Sequence, residues 1–293
     1  MPEAPQYDPL MLSRLAVIDK SRLHTIQQAI KWMVYTLLII NFVYYIVEDW
    51  NRAIHILHAG STFLDWMNEF ATSIDESAWF LLLFMFELET YVLKDEVWKG
   101  WVAHTVRGIR LACFVMLAHT IFAFGTTAID LQPTVAVDNV SDLCAMVNDD
   151  VSYVYNLEYT EVNEQTCGKL SSESQFYWLA DDPIVSDMPG LNLERQLAWV
   201  DLMEAISWLL VLLAIESAVR LQDRGVTHGP LLVTARISSK VLYLTILGAG
   251  VYWATLSHWL YLWDEIVWIL GFTAIEMNVS EWRDELLDEQ ATT

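Results

Sequence analysis

Six apolar runs, separated by shorter polar segments, set the pattern of this chain. They cover about 29–47, 78–94, 109–129, 203–220, 241–261 and 263–279. Each run is roughly long enough to cross a hydrocarbon core of about 30 Å as an α-helix. The pattern therefore predicts an all-α integral membrane protein with six transmembrane helices. Because only the region from Trp259 to Asp264 separates the last two runs, a re-entrant hairpin is the alternative there.

The composition supports this class of protein, and the basic residues predict its orientation. Apolar residues make up 55% of the chain, and it contains 14 tryptophans. Basic residues gather before the first run, between the second and third, and between the fourth and fifth: Arg14, Lys20, Arg22 and Lys31; Lys94, Lys99, Arg107 and Arg110; Arg220, Arg224, Arg236 and Lys240. The positive-inside rule makes these three segments cytoplasmic. We therefore expect a multi-pass protein of the inner (plasma) membrane with both termini in the cytoplasm.

The runs divide the chain into five parts. Residues 1–28 are polar and amphipathic and lack a signal-peptide pattern, so we expect a cytoplasmic or interfacial segment. Residues 29–129 hold the first three transmembrane helices, with an amphipathic helix near 52–72 lying on the outer leaflet. Residues 201–280 hold the last three helices, and 281–293 form an acidic cytoplasmic tail.

Residues 130–200 form the fifth part, an acidic extracytoplasmic loop domain. Much of the net charge of -22 lies in this loop, in which Lys169 is the one lysine. Such a surface concentrates cations, although solubility in a saline exterior explains it as well. Cys144 and Cys167 both lie in this oxidising compartment, so we predict a disulfide between them. Near-alternating apolar residues over 152–162 predict a short strand or hairpin, and hence a small disulfide-stapled cap.

An internal repeat relates two stretches of the chain. Shifting the sequence by 129 residues superposes 79–87 on 208–216, and then Gly100 on Gly229 and Thr105 on Thr234. A duplicated helical hairpin explains these matches, and three repeated hairpins fit if the last run is included. Chance similarity between apolar helices is the alternative.

An acidic residue, a tryptophan and a glutamate recur at one spacing inside three of the runs. They are Asp75, Trp79 and Glu87; Glu204, Trp208 and Glu216; and Asp264, Trp268 and Glu276. A charged carboxylate at the centre of a bilayer costs roughly 2.5–3.5 kcal/mol even on the lenient insertion scale. We expect the three tryptophans to anchor their helices at the interface, and Arg107 and Arg236 to anchor the cytoplasmic ends.

The three glutamates have two structural explanations and one functional one. Glu216 can pair with Arg220 one turn away, and a protonated glutamate can donate a hydrogen bond to a neighbouring helix. Alternatively, Glu87, Glu216 and Glu276 share a polar route and bind or relay cations or protons, helped by Glu89 and His119.

The sequence thus predicts a cation or proton channel or transporter. A non-transporting structural or accessory subunit of a larger membrane assembly is the alternative. The expected partners are the lipid bilayer, protons or monovalent or divalent cations, and further copies in a homo-oligomer, with no nucleic acid. Since no CxxCH, GxGxxG or GxxxxGK[ST] motif is present, we expect no enzymatic activity, cofactor or metal site.

Overall fold

The computed structural model describes residues 9–88, 100–180, 182–223 and 229–273. Most of this part of the chain is helical. The helices are α1 (Pro9–Ile56), α2 (Phe63–Glu69), α3 (Ala71–Glu87), α4 (Trp101–Asp130), α5 (Cys167–Leu170), α6 (Met188–Asp223), α7 (Pro230–Thr255) and α8 (259–273). The strands are β1 (Val135–Ala136), β2 (Ser152–Tyr155), β3 (Glu158–Glu161), β4 (Phe176–Trp178) and β5 (Ile184–Asp187).

Four of the described helices are long and apolar enough to cross a membrane. Their membrane-crossing segments are Lys31–Ile56, Trp101–Asp130, Met188–Ser217 and Val233–Thr255. This finding fits a membrane protein. The predicted second and sixth spans, 78–94 and 263–279, extend beyond the described residues, so the count of six stays a prediction.

The first helix extends further than its apolar run, which ends near residue 47. It continues to Ile56 and includes Glu48, Asp49 and Arg52. These polar residues do not end the helix, because each of them finds partners on other elements, as described below.

The acidic segment between α4 and α6 contains a five-stranded sheet with the order β1-β4-β5-β2-β3. Strands β2 and β3 form the predicted hairpin, with Tyr155 opposite Glu158. Its two turn residues, Asn156 and Leu157, have φ values of 56° and 63°. Positive φ at both central positions is typical of the tight turn that matches the twist of a hairpin. The predicted disulfide between Cys144 and Cys167 is present.

Residues 131–187, called here the sheet subdomain, pack directly on the adjoining helix ends. One hydrophobic core joins the end of α4, three strands and the start of α6: Ala128, Leu131, Val154, Tyr177, Leu179, Ile184, Leu191 and Ala198. Arg195 of α6 also donates to the carbonyl oxygens of Leu131 and Gln132, at 2.7 and 2.8 Å. These bonds satisfy carbonyls just beyond the end of α4 that have no helical partner.

The chain forms two compact units. The larger unit, Phe42–Leu262, contains the sheet subdomain and the packed pairs α3–α4, α4–α6 and α6–α7. The smaller unit combines Met1–Asn41 with Trp263–Thr293. Within the smaller unit, the buried Asn41 amide donates to the buried Asp264 carboxylate at 2.6 Å.

Candidate functional site

A group of charged side chains in the larger unit lies at the end of the helices that contacts the sheet subdomain. It consists of Glu48, Asp49 and Arg52 of α1, Glu69 of α2 and Asp201 of α6, and is called here the acidic cluster. Arg52 is at its centre, because its Nε donates to Glu69 Oε2 at 3.0 Å and its Nη2 donates to the Glu69 carbonyl oxygen at 2.5 Å. The guanidinium thereby fixes the C-terminal end of α2 against α1.

Asp49 connects the same guanidinium to a third helix. Its Oδ1 lies 3.4 Å from Arg52 Nη2, and its Oδ2 accepts bonds from the backbone N–H and hydroxyl of Ser73, at 2.8 and 2.7 Å. Ser73 lies in the first turn of α3, whose N-cap residue, Phe70, makes no side-chain capping bond. A carboxylate from α1 therefore satisfies a free N–H of α3 and lies at the positive end of that helix dipole.

Glu48 and Asp201 add two more acidic groups around Arg52. Glu48 Oε1 accepts a hydrogen bond from the Tyr261 hydroxyl at 2.7 Å. Asp201 lies close enough to Arg52, Glu48 and Glu194 for their charges to interact. One guanidinium thus lies near four carboxylates. The Tyr261 hydroxyl is uncharged and cannot neutralise a negative charge. The acidic groups of the cluster thus outnumber its one base, and any carboxylate among them that lacks a countercharge attracts cations.

The sheet subdomain closes over this end of the helices through its β2–β3 hairpin. His55 Nδ1 lies 2.8 Å from Ser152 Oγ, and the His55 ring stacks on Tyr159 with 5.9 Å between ring centroids. Burial raises the pKa of Tyr159, and the negative charge of Glu194 raises it further, so this phenol stays protonated at neutral pH. The buried Glu194 carboxylate accepts a bond from the Leu157 N–H at 3.1 Å.

The hairpin turn also contacts α7. The Asn156 amide donates to the carbonyl oxygen of Leu256, just beyond the end of that helix, at 3.0 Å. The sheet subdomain is therefore held by hydrogen bonds to α1, to α6 and to the residue that follows α7.

The predicted pathway residues are described only in part. Glu216 makes an ion pair with Arg220 at 2.5 Å, in which the arginine side chain is 69% exposed. His119 is half-buried, and its Nε2 lies 3.1 Å from the Met67 carbonyl oxygen. Glu87 is the last residue of α3, but its side chain lies outside the described part of the chain, as do Glu89 and Glu276.

Position along α6 indicates the depth of Glu216. The exposed Trp199 lies near the sheet end of this helix, and Glu216 follows it by 17 residues. At 1.5 Å per residue the two are about 26 Å apart along the axis, nearly the full thickness of a hydrocarbon core. Glu216 thus lies at the far end of the candidate span Met188–Ser217, one residue from its last residue.

The three recurring tryptophans are buried, with 5%, 8% and 5% of the side chains of Trp79, Trp208 and Trp268 exposed. Trp79 Nε1 donates to Asp75 Oδ2 at 3.0 Å, one turn earlier in α3. Arg107 is exposed near the start of α4, and Arg236 lies in α7 with a side chain outside the described set. Their roles as anchors stay predictions.

The sequence interpretation missed the acidic cluster. The sequence did contain an indication of the cluster, because three charged residues follow directly after an apolar run: Glu48, Asp49 and Arg52. Charges at intramembrane or interfacial depth indicate a functional site by default. The partner Glu69 could not be identified from its spacing, since the turn between α1 and α2 determines which residue meets the guanidinium.

No protein-family model, curated protein or solved structure matches this chain. Within the described ranges, no group of three or more His, Cys, Asp or Glu side chains is arranged to hold a metal ion.

Proposed function

We propose that this protein conducts protons or cations across the membrane, with the acidic cluster as the outer entrance. The observation that supports the proposal is the ratio of charges in that cluster, where four carboxylates surround the one guanidinium of Arg52. Three of the four carboxylates belong to α1 and α6, which are long and apolar enough to cross a membrane. A cation leaving the outer solution would meet negative potential at the level where these helices begin to exclude water.

The cost of burial supports a functional reading of the cluster. Removing a charge from water costs several kcal/mol per ion unless the charge is fully paired, and apolar side chains would hold these helices together as well or better. Within the cluster, Asp49 is only 3% exposed. A scaffold has no need of so many carboxylates around one base, whereas an entrance for cations does.

The rest of the route is part of the same proposal. Six transmembrane helices, built from repeated hairpins, would place the sheet subdomain outside the cell as a cap over the entrance. Glu87, Glu216 and Glu276, with Glu89 and His119, would bind or relay the ion toward the cytoplasm. The protein would then act without enzymatic chemistry, and a homo-oligomer would give the route a central axis.

The test is proton flux into sealed liposomes that contain the purified protein. A potassium gradient with valinomycin drives protons inward, and an internal pH-sensitive dye reports the rate of proton entry. A parallel set of vesicles without valinomycin reports the rate of K⁺ flux. Asp201→Asn removes one acidic group while keeping the shape of the side chain. We expect the rate to fall about fivefold, as for the loss of about 1 kcal/mol of attraction for a cation.

The matched control is Asp138→Asn, which removes an acidic group from an exposed turn of the sheet subdomain. We expect it to leave the rate unchanged. A folded wild type that conducts no faster than empty liposomes contradicts the proposal. So does a rate that Asp201→Asn leaves unaltered.

A non-transporting subunit is the second candidate, and one observation favours it. The sheet subdomain shares a hydrophobic core with α4 and α6, so it presents a rigid surface on which a partner could dock. This candidate predicts no flux and a stable complex in which the sheet subdomain is protected from proteases. The liposome assay separates the two functions.

A further inference from the structure

Two of the recurring tryptophans meet inside the larger unit. The rings of Trp79 on α3 and Trp208 on α6 contact edge to face, with centroids 5.8 Å apart and planes at 61°. Tyr243 of α7 extends the contact, since its ring lies 6.3 Å from that of Trp208. Residues from three helices thus form one aromatic cluster, and edge-to-face packing is a favourable arrangement of rings.

The pair lies between acidic residues on both of its helices. On α6, Asp201 of the acidic cluster precedes Trp208 by seven residues, and Glu216 follows it by eight. These spacings are about 10 and 12 Å along the axis. Seven residues are nearly two full helical turns, so Asp201 and Trp208 lie on the same face of α6. On α3, the buried Glu76 precedes Trp79 by about one turn, and Glu87 follows it by eight residues.

The two tryptophans also occupy corresponding positions in the proposed repeat. They are 129 residues apart, as are Gly100 and Gly229, the N-cap residues of α4 and α7. Both glycines have positive φ, 75° and 135°, so the two chain segments enter their second helix through backbone conformations that favour glycine. Transporters with internal repeats commonly place their pathway at the interface between the repeats.

We propose that the contact between Trp79 and Trp208 is the constriction through which the ion passes from the acidic cluster to the inner carboxylates. This inference rests on the proposed conduction of protons or cations. Packed aromatic rings exclude water and so form a barrier, while the faces of indole rings attract cations and disfavour anions. The pair would therefore limit the rate and help to select positive ions.

Trp208→Ala tests the constriction, and it leaves the hydrogen bond from the Trp79 indole to Asp75 in place. In the proteoliposome assay we expect Trp208→Ala to conduct about tenfold faster than wild type, equivalent to a barrier lowered by about 1.4 kcal/mol. Trp208→Phe keeps an aromatic ring and should conduct at close to the wild-type rate. Trp199→Ala is the matched control, because Trp199 lies on the same helix with 49% of its side chain exposed.

A second readout does not depend on flux. Val211 is fully buried and lies one turn beyond Trp208, on the side away from the acidic cluster. In a Cys113→Ser background, Val211→Cys should react with a membrane-impermeant thiol reagent from the sheet side only when Trp208→Ala is also present.

The outcomes separate the constriction from the proposed function. Faster flux in Trp208→Ala, together with the new labelling of Val211→Cys, supports the constriction. Flux in wild type that Trp208→Ala leaves unchanged overturns the constriction while the proposed function stands. Flux absent from folded wild type and from every variant overturns the proposed function.

Discussion

Arg52 should contribute far more to stability than an arginine on the surface of the same protein. It bonds the Glu69 carboxylate and carbonyl and contacts Asp49, with 28% of its own side chain exposed. Arg220 offers a matched comparison, because it also pairs with a carboxylate, Glu216, but 69% of its side chain is exposed. Arg→Gln at either position keeps a polar side chain and removes the charge.

The geometry sets the expected magnitudes. Breaking a fully buried ion pair by removing one partner costs about 3–5 kcal/mol, whereas an exposed pair one helical turn apart contributes about 0.3–0.5 kcal/mol. Asp49 is 3% exposed but would keep its two bonds from Ser73, and Glu69 is 18% exposed. The value for Arg52→Gln should therefore fall below the buried limit. We expect it to lower the free energy of unfolding by about 2–3 kcal/mol, and Arg220→Gln by about 0.5 kcal/mol.

The assay is reversible unfolding in mixed detergent micelles, followed by far-UV circular dichroism. Adding Glu69→Gln to Arg52→Gln should restore part of the loss, because it removes a carboxylate left without its countercharge. Equal losses for Arg52→Gln and Arg220→Gln would refute the assignment of Arg52 as the structural centre of the acidic cluster.

Three further outcomes follow from the sheet subdomain. Gly190→Ala, in the first turn of α6 beside the subdomain, should destabilise it by about 1–3 kcal/mol, because a Cβ at this position would clash with Ser186 Oγ, and thermal unfolding should show that Ser186→Ala restores part of the loss. Cys144→Ser should cost about 3 kcal/mol, since the bridge to Cys167 closes a loop over a sequence separation of 23, and limited proteolysis should then cut the subdomain faster. Translation with endoplasmic reticulum microsomes should add a glycan to the sequon at Asn139, which is exposed in a turn, and an unmodified product would contradict an extracytoplasmic subdomain.

The features that local patterns determine were predictable from the sequence. The disulfide between Cys144 and Cys167 and the hairpin of β2 and β3 are confirmed, because compartment chemistry and alternation of apolar residues predict them directly. Four helices with the expected apolar character are present. The long reach of α1 was not predicted, because Asp49 and Arg52 resemble the end of a span until their partners on α2 and α3 are known.

The candidate site was harder to predict for the same reason. The turns that join three helices bring Asp49 to Ser73 and Arg52 to Glu69. Periodicity within one helix carries no information about such contacts between helices. The contact between Trp79 and Trp208 likewise depends on how α3 and α6 pack. The spacing identified both tryptophans as unusual and predicted interface anchors, but it could not show that their two buried rings contact each other.

The central claim is most directly tested by proton and K⁺ flux through purified wild-type protein in sealed liposomes. The account predicts flux that exceeds that of empty vesicles, is carried by positive ions, and falls about fivefold in Asp201→Asn. Folded protein that leaves both gradients intact would contradict it, and would leave the acidic cluster as a joint between helices.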